Sequence, residues 1–202
     1  YAGLPLTIIG THPGFDIGPD GGTHQMLEDI ALARVIPEIE VLTPSDSLET
    51  AAAIKQAIAS SNVTFIRVGR HPIPIVLNPP VEFVCGNAEV LFRSGDDLVL
   101  IADGSMVYDA INVAKRLTIE GHSCCVINIR SIKPIDVDLI IALIRRAKLT
   151  ITIENHTIFG GLGGAVAEIA AQKGRRLLRI GSSDCFGRSA DTDALRHMVG
   201  LD

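Results

Sequence analysis

The sequence predicts an α/β protein with two domains, each built on a mainly parallel β-sheet flanked by helices. Apolar, β-branched runs typical of buried parallel strands alternate along the 202 residues with segments of helical pattern. This alternation is interrupted once, because four of the ten prolines lie within residues 70–80, through which regular structure does not continue. We therefore expect a first domain over residues 1–71, a linker over residues 72–84 and a second domain over residues 85–202.

The first domain has the pattern of a βαβαβ unit. Asp46, followed three residues later by Glu49, is a capping-box-like start for the second helix. Thr23 or a neighbour is expected to cap the first helix. The expected strands cover residues 4–10, 40–42 and 63–68, and the expected helices cover residues 24–35 and 46–60.

The second domain continues the alternation, which predicts a largely parallel sheet covered on both faces. Its glycine-rich run Gly160–Ala165 follows a strand and opens a helix, but the spacing departs from a dinucleotide-binding loop, so a tight turn with close helix–sheet packing is favoured. Glu154 and His156 are either an acid–base pair or a structural hydrogen-bonded pair. The expected strands cover residues 98–102, 124–129, 150–154 and 176–180, and the expected helices cover residues 106–120, 134–147 and 164–173.

The composition excludes several classes of function. A net charge of −5 with scattered Lys and Arg argues against a nucleic-acid surface. No apolar run reaches the length of about 20 residues that spans a bilayer, so no membrane partner is expected. The four cysteines form no CxxC motif, and buried free thiols in the cytoplasm explain them best. Adjacent Cys124 and Cys125 would face opposite sides of a strand.

Thr11 to Gln25 is the segment richest in residues that can carry chemistry. It follows the carboxyl end of a predicted parallel strand, where open α/β sheets bind ligands. The segment holds His12, His24 and Asp20 among glycines that allow a ligand to approach the backbone closely. His24 is expected at a helix N-terminus, where the dipole keeps the imidazole neutral and able to donate a hydrogen bond to a carbonyl or developing oxyanion.

The same residues allow plainer interpretations. Asp20 and Thr23 could make local backbone hydrogen bonds in a tight turn, with both histidines on the surface. A metal site is a third interpretation, but the spacing fits no standard zinc pattern, so no metal is expected. Arg70, just beyond a strand, is either a clamp for phosphate or carboxylate or a member of a surface salt bridge.

Ordered short segments resemble one family along essentially the whole chain. In the first half they resemble the pyrimidine-binding domain of transketolases: Thr11-His12, Gly18 to Gln25, Glu28 to Ala31, Arg34 to Pro37, Thr43 to Asp46 with Glu49, and Ile66 to Arg70. In the second half they are similar to the C-terminal domain of transketolases: Ile132 to Asp136, Glu154 to His156, Gly160 to Gly163, and Ala165 to Glu168.

The resemblance implies transfer of a two-carbon ketol unit between sugar phosphates, as in the pentose phosphate pathway, by an enzyme that uses thiamine diphosphate and Mg²⁺. Carried over by residue, His12 would contact the phosphate end and Arg70 would clamp the sugar phosphate. Asp20 would hydrogen-bond a substrate hydroxyl. His24 would polarise or protonate the oxygen at the reacting carbon. All four are expected to bind substrate, and Asp20 and His24 are the expected catalytic residues.

Two departures limit this expectation. Gly22 stands where the family usually has proline, which a loop should tolerate while becoming less rigid. The glutamate that activates the cofactor and the aromatics that stack on it are expected upstream of Tyr1. This chain alone is therefore expected to bind no cofactor and to be inactive. Its expected partners are an N-terminal transketolase section or subunit and a second copy of itself in a homodimer, which its C-terminal domain supports.

Other identities remain open on the residues alone. A deoxyxylulose-phosphate synthase fragment shares the Thr23-His24-Gln25 segment, although the following Glu28-Asp29-Ile30 favours a transketolase. The β subunit of a 2-oxoacid dehydrogenase would act on an oxoacid, whereas His12 and His24 framing Asp20 suit a polyhydroxylated sugar better. A non-catalytic dimerisation or regulatory domain is a further alternative.

Overall fold

The structure is a computed structural model that describes residues 3–201. Strands and helices alternate along this part of the chain, with a 3-10 helix at Gly14–Asp20 after the first strand. The strands are β1 Thr7–Thr11, β2 Ile39–Leu42, β3 Val63–Val68, β4 Glu89–Arg93, β5 Leu98–Ala102, β6 Cys124–Asn128, β7 Ser131–Lys133, β8 Leu149–Thr157 and β9 Leu177–Ser182. The α-helices are α1 Asp29–Val35, α2 Ser47–Ala59, α3 Met106–Ile119, α4 Val137–Ile144, α5 Leu162–Gln172 and α6 Thr192–Val199.

The strands form two sheets flanked by helices, which confirms the predicted α/β class. The first sheet has the order β1-β3-β2-β7 and the second has the order β4-β6-β5-β8-β9. Neighbouring strands run parallel except at β7 and β4, which pair antiparallel at one edge of each sheet. The boundaries of the two domains at residues 71 and 85 stay a prediction. Below, the first half means residues 3–71 and the second half means residues 85–201.

The first sheet is completed by a strand from the second half. Lys133 in β7 pairs with Val41 in β2, and Ser131 pairs with Leu42. The Lys133 ammonium also donates to the carbonyl of Arg34, at the end of α1, over 2.9 Å. One apolar core includes Val41 and Phe65 from the first half with Val99 and Ile127 from the second half. The two halves therefore share both a sheet and a core.

The predicted second helix and its cap are confirmed. The Asp46 carboxylate accepts from the Glu49 N–H over 2.9 Å, which satisfies one of the free donors at the start of α2. Its other oxygen accepts from the N–H groups of Val76 and Leu77, so the same side chain holds the proline-rich linker against the helix. The Glu49 carboxylate reaches back to Ser45 N–H over 2.7 Å, one residue before the position that a standard capping box uses.

The expected start of the first helix is wrong. The helix begins at Asp29 and not near His24. Met26 instead forms a bridge with Pro13, and its carbonyl accepts from the Gly14 N–H over 2.9 Å. The intervening residues are held in turns and extended backbone by this contact with the loop, so neither Thr23 nor a close neighbour caps a helix there.

The cysteines follow the predicted alternation in part. Cys124 and Cys125 in β6 are both buried, and they belong to two different core clusters, which confirms that they face opposite sides of the sheet. Burial raises the pKa of the Cys125 thiol to about 11, so this thiol is unreactive. Cys185 is exposed and Cys85 is only half-buried, so the expectation that all four thiols are buried is wrong for these two residues. Among residues 3–201, no helix is both long and apolar enough to cross a bilayer.

A buried ion pair in the first half is hydrogen-bonded to the second half behind the loop that follows β1. The Arg67 Nε donates to Asp29 Oδ2 over 2.8 Å, and both side chains are almost fully buried. The Arg67 Nη2 donates to the carbonyls of Met26 and, in β8 of the second half, Asn155, over 3.2 and 2.8 Å. We call Asp29, Arg67, Asn155 and the adjoining His156 the domain seam.

A second contact between the halves lies around the buried carboxylate of Glu49. The Arg130 Nε lies 2.8 Å from Glu49 Oε1, and Asn128 Nδ2 donates to the same oxygen over 2.9 Å. The Arg130 guanidinium also donates to the Glu82 carbonyl and lies over the Phe83 ring, 5.7 Å from its centroid. Because Arg130 and Asn128 both contact Glu49 across the two halves, directional contacts as well as apolar packing fix the relative position of the halves.

Candidate active site

Two of the predicted site residues follow strands that end at the same edge of the first sheet. β1 and β3 are parallel neighbours, so their carboxyl ends lie side by side. His12 follows β1 directly, and its N–H donates to the Val68 carbonyl at the end of β3 over 3.2 Å. Arg70 follows two residues after Val68. The topology therefore places His12 and Arg70 at the same edge of the sheet, as expected for a ligand site in an open α/β fold.

Asp20 and Arg70 are brought together by the 3-10 helix that follows His12. The Arg70 Nη1 donates to Asp20 Oδ2 over 2.9 Å, and both side chains are a little under half exposed. This bond occupies one of the several donors of the guanidinium, so the remaining donors can bind an anion. Because the pair is solvent-exposed, its stabilisation is only about 0–1 kcal/mol, and a ligand can rearrange it at little cost.

The two histidines lie in the same loop but make local contacts. His12 has a left-handed backbone conformation with φ of 64°, and its Nδ1 lies 2.9 Å from Thr11 Oγ1. His24 is exposed, and its Nδ1 lies 3.0 Å from Thr23 Oγ1. Within the described residues, neither ring hydrogen-bonds to Asp20 or Arg70. The structure thus joins two of the four predicted residues directly and leaves both imidazoles available on the loop.

The reason given for a neutral His24 is wrong. His24 lies in a turn that its own N–H closes by donating to the Gly21 carbonyl over 2.9 Å, five residues before α1 begins. It therefore does not lie at a helix N-terminus and experiences no first-turn dipole. Its contact with the Thr23 hydroxyl is the interaction that orients the ring.

Asn155 positions the start of the loop from beneath. Its Oδ1 accepts from the Phe15 N–H over 2.9 Å, and the Phe15 ring is fully buried. Gly14 has a φ of 66°, and a Cβ there would lie 2.2 Å from the same Oδ1, so only glycine allows this approach. Sequence reasoning missed this role, because the one available signal was the family-like segment Glu154 to His156, which does not indicate what Asn155 contacts.

His156 has the hydrogen bonds of a neutral, structural imidazole. Its Nδ1 donates to the Thr157 carbonyl over 2.6 Å, and its Nε2 accepts from the Ala31 N–H over 3.4 Å. Ala31 lies in the first turn of α1, so the ring satisfies one of the free helix donors from the other half of the chain. Burial, together with the nearby Arg67 guanidinium, lowers the pKa of His156 to about 4.

Glu154 is also fully buried. Its Oε1 accepts from the Gly163 N–H over 2.9 Å, and burial raises its pKa to about 8. Burial also raises the pKa of the neighbouring Asp103 to about 6. The closest approach of Glu154 to His156 is 3.8 Å. These contacts favour the structural interpretation of Glu154 and His156 over an acid–base pair.

The glycine-rich turn before α5 packs directly on this buried layer. A Cβ at Gly161 would lie 2.2 Å from Glu154 Oε2, and a Cβ at Gly163 would lie 2.5 Å from Glu154 Oε1. These glycines allow the helix to approach the sheet closely, which confirms the predicted tight turn. Within residues 3–201, no group of three or more His, Cys, Asp or Glu side chains is arranged to hold a metal ion.

Comparison with known families identifies the chain. Residues 1–74 match the transketolase pyrimidine-binding domain, and residues 86–202 match the transketolase C-terminal domain. The chain therefore belongs to the transketolase family, which confirms the resemblance found in the sequence.

The relatives are longer than this chain. A Methanocaldococcus jannaschii protein, itself assigned only provisionally as a transketolase C-terminal section, is 38% identical over 207 residues, which covers 100% of this chain and 64% of that protein. A 6-deoxy-6-sulfo-D-fructose transketolase subunit of Clostridium sp. is 35% identical over 202 residues and is covered over 62% of its length. This chain thus spans a little under two thirds of these relatives.

A solved structure supports the same assignment. It is described as a split gene transketolase in an inactive β4 tetramer, and it superimposes with a TM-score of 0.88 at 36% sequence identity. The match covers 96% of this chain and 62% of that chain.

The buried carboxyl groups predict a dependence of stability on pH. The folded-state pKa of Glu154 lies above its ordinary value of 4.5. Its contribution to the unfolding free energy is therefore fully present below pH 4.5 and is lost as the pH rises towards about 8. Glu154→Gln should therefore flatten the fall in unfolding free energy between about pH 5 and about pH 8. His156 acts in the opposite direction, because its lowered pKa removes stability as the pH falls from 6.5 towards about 4.

Urea unfolding at several pH values measures this effect. The exposed Glu120 provides a matched control, since Glu120→Gln should leave the pH profile unchanged. If the unfolding free energy falls equally steeply with rising pH in Glu154→Gln and in the unsubstituted protein, the pH dependence does not come from Glu154.

Proposed function

We propose that this chain is the substrate-recognising section of a thiamine-diphosphate-dependent transketolase that transfers a two-carbon ketol unit between sugar phosphates. The observation that carries the proposal is the exposed pair of Asp20 and Arg70, held at the carboxyl edge of a parallel sheet in a chain of this family. A carboxylate beside a partly free guanidinium suits a ligand that has both hydroxyl groups and a phosphate.

The three loop residues His12, Asp20 and His24 and the nearby Arg70 each recognise a different part of such a ligand. The free donors of Arg70 bind the phosphate, and His12, at the adjacent strand end, contacts the same end of the sugar. Asp20 accepts a hydrogen bond from a substrate hydroxyl. His24, oriented by Thr23, hydrogen-bonds the oxygen at the reacting carbon and can hold or give a proton there. Bound thiamine diphosphate supplies the carbanion chemistry that this transfer needs.

The rest of the active site comes from outside these 202 residues. The names of the relatives, a C-terminal section and a subunit, support a separate N-terminal section that holds the cofactor and Mg²⁺. We propose that the chain is inactive alone and self-associates, by analogy with the inactive β4 tetramer of the split transketolase. Exposed apolar side chains on β1 and α1, including Ile8, Leu32 and Val35, support burial of this surface in an assembly. We place the enzyme in the cytoplasm.

The direct test is reconstitution of ketol transfer. The full-length protein, combined with its N-terminal section, thiamine diphosphate and Mg²⁺, should convert xylulose 5-phosphate and ribose 5-phosphate to products with a shifted two-carbon unit. Neither section alone should do so. Condensation of pyruvate with glyceraldehyde 3-phosphate and release of CO₂, without ketol transfer, would instead identify a deoxyxylulose-phosphate synthase. Transfer of an acyl group to lipoamide would identify a 2-oxoacid dehydrogenase.

Arg70→Ala tests the phosphate clamp in the same assay. Loss of a charge-assisted hydrogen bond should lower kcat/KM for xylulose 5-phosphate, mainly by raising KM. The decrease should correspond to a loss of transition-state stabilisation of about 1.5–3 kcal/mol. Hydroxypyruvate, a donor without a phosphate, should be affected much less. Arg93→Ala, which removes another exposed ion pair far along the chain, is the control. Equal losses for both donors would show that Arg70 does not bind the phosphate.

A further inference from the structure

A segment of the second half lies directly against the loop that carries Asp20 and His24. This segment covers residues 187–192, from beyond β9 to the first residue of α6, and its backbone approaches the backbone of the loop. A Cβ at Gly22 would lie 2.4 Å from the Gly187 carbonyl oxygen, and a Cβ at Gly21 would lie 2.4 Å from Ser189 Oγ. Such distances admit no side chain, so the loop and the segment fit only because glycine occupies these positions.

Gln25 ties the two backbones together. Its side chain is almost fully buried, and its Nε2 donates to the carbonyl of Arg188 over 2.9 Å and to the carbonyl of Gly18 over 3.3 Å. Gly18 lies two residues before Asp20, and Gln25 itself follows His24. One amide therefore connects the segment to both ends of the short stretch that holds the two expected catalytic residues.

The segment is anchored where it leaves the loop. Asp191 caps α6, because its carboxylate accepts from the Ala194 N–H over 2.9 Å. Leu195 in that helix is buried in a core cluster that also contains Phe15 and Leu27, from either side of the loop. The segment is therefore a fixed support that rests on the same core as the loop.

We propose that Gln25 is a positioning residue, whose amide holds the loop against residues 187–192 and so fixes the geometry in which Asp20 and His24 meet the substrate. This inference rests on the proposed function. It makes the second half a structural part of the substrate site, whereas Gln25 itself contacts no substrate.

Gly22 is explained by the same contact. The expectation that glycine at this position makes the loop less rigid stays a prediction, and the structure adds that Gly22 lies close against the Gly187 carbonyl. Proline, the usual residue of the family here, would place its Cβ at the same 2.4 Å and displace the segment. In this chain, glycine at position 22 permits a close backbone contact in place of the stiffness of a proline ring.

Gln25→Ala is the first variant that tests the proposal. In the reconstituted full-length enzyme, it should raise KM for xylulose 5-phosphate about tenfold and lower kcat, because Asp20 and His24 lose their common support. Ile169→Val, which removes a buried methyl group in α5, is a control that loses stability away from the loop. The control should keep both constants, which separates positioning from a general loss of stability.

Gly187→Ala, alone and combined with Gln25→Ala, tests the contact itself. A Cβ at Gly187 would lie 1.7 Å from Gln25 Oε1 and 2.8 Å from Gln25 Cδ, so Gly187→Ala alone should impair the enzyme as strongly as Gln25→Ala. Gln25→Ala removes both atoms and leaves Gln25 Cβ as the nearest atom of that residue, at 3.1 Å. Gly187→Ala should then add little in the double variant, whereas additive losses would overturn the proposal.

Amide hydrogen exchange gives a readout that does not need activity. The N–H groups of His24 and Gln25 both donate to the Gly21 carbonyl, and they should exchange about tenfold faster in Gln25→Ala, with no change in β5 or β6. If the unsubstituted enzyme shows no ketol transfer, the proposed function fails, but faster exchange still supports the positioning contact. Unchanged exchange, or unchanged kinetics in an active Gln25→Ala enzyme, overturns the positioning role.

Discussion

The buried guanidinium of Arg67 is the constraint on which the rest of the structure depends. A buried guanidinium is stabilised only if the fold provides an opposite charge and acceptors for its N–H donors, and for Arg67 these come from three places in the fold. Asp29 at the start of α1 supplies the opposite charge, Met26 supplies a carbonyl, and Asn155 in β8 supplies another. Arg67 therefore fixes where α1 begins, how the chain returns from the loop, and where the second half sits.

The candidate site is held rigid by the domain seam. Asn155 is held through its carbonyl by Arg67, and its side chain in turn holds the N–H of Phe15. The outer side of the loop is supported separately by Gln25. Asp20 and Arg70 lie between these supports and stay exposed. Binding residues held on rigid elements keep the geometry that a ligand needs.

The sequence was sufficient where local pattern decides the structure. Strands β3, β5 and β6 are apolar runs with clear periodicity, and the Asp46 cap has a local signal three residues long, so these predictions are confirmed. The short strand β7 has no such signal, because its three residues become a strand only by pairing with β2. Edge strand β4 and helix α6 were also missed.

The candidate site residues could be named from the sequence and their role stays a prediction, whereas their geometry could not be predicted. Asp20 and Arg70 were both expected to bind substrate, yet nothing local indicates that side chains 50 positions apart form an ion pair. The position of His24 was wrong because Met26 pairs with Pro13, a tertiary contact that overrides helical propensity. The hydrogen bond from Gln25 to Arg188 spans 163 positions, and no sequence pattern indicates it.

The central claim is that the domain seam makes the two halves and the loop one cooperative unit. Differential scanning calorimetry of the full-length protein and of Arg67→Met tests it directly. We expect one transition in the unsubstituted protein, with a calorimetric enthalpy equal to the van't Hoff enthalpy. In Arg67→Met, which leaves Asp29 buried without its partner, that transition should lose about 3–5 kcal/mol of stability. Two separate transitions in the unsubstituted protein, or an unchanged transition in Arg67→Met, would contradict it.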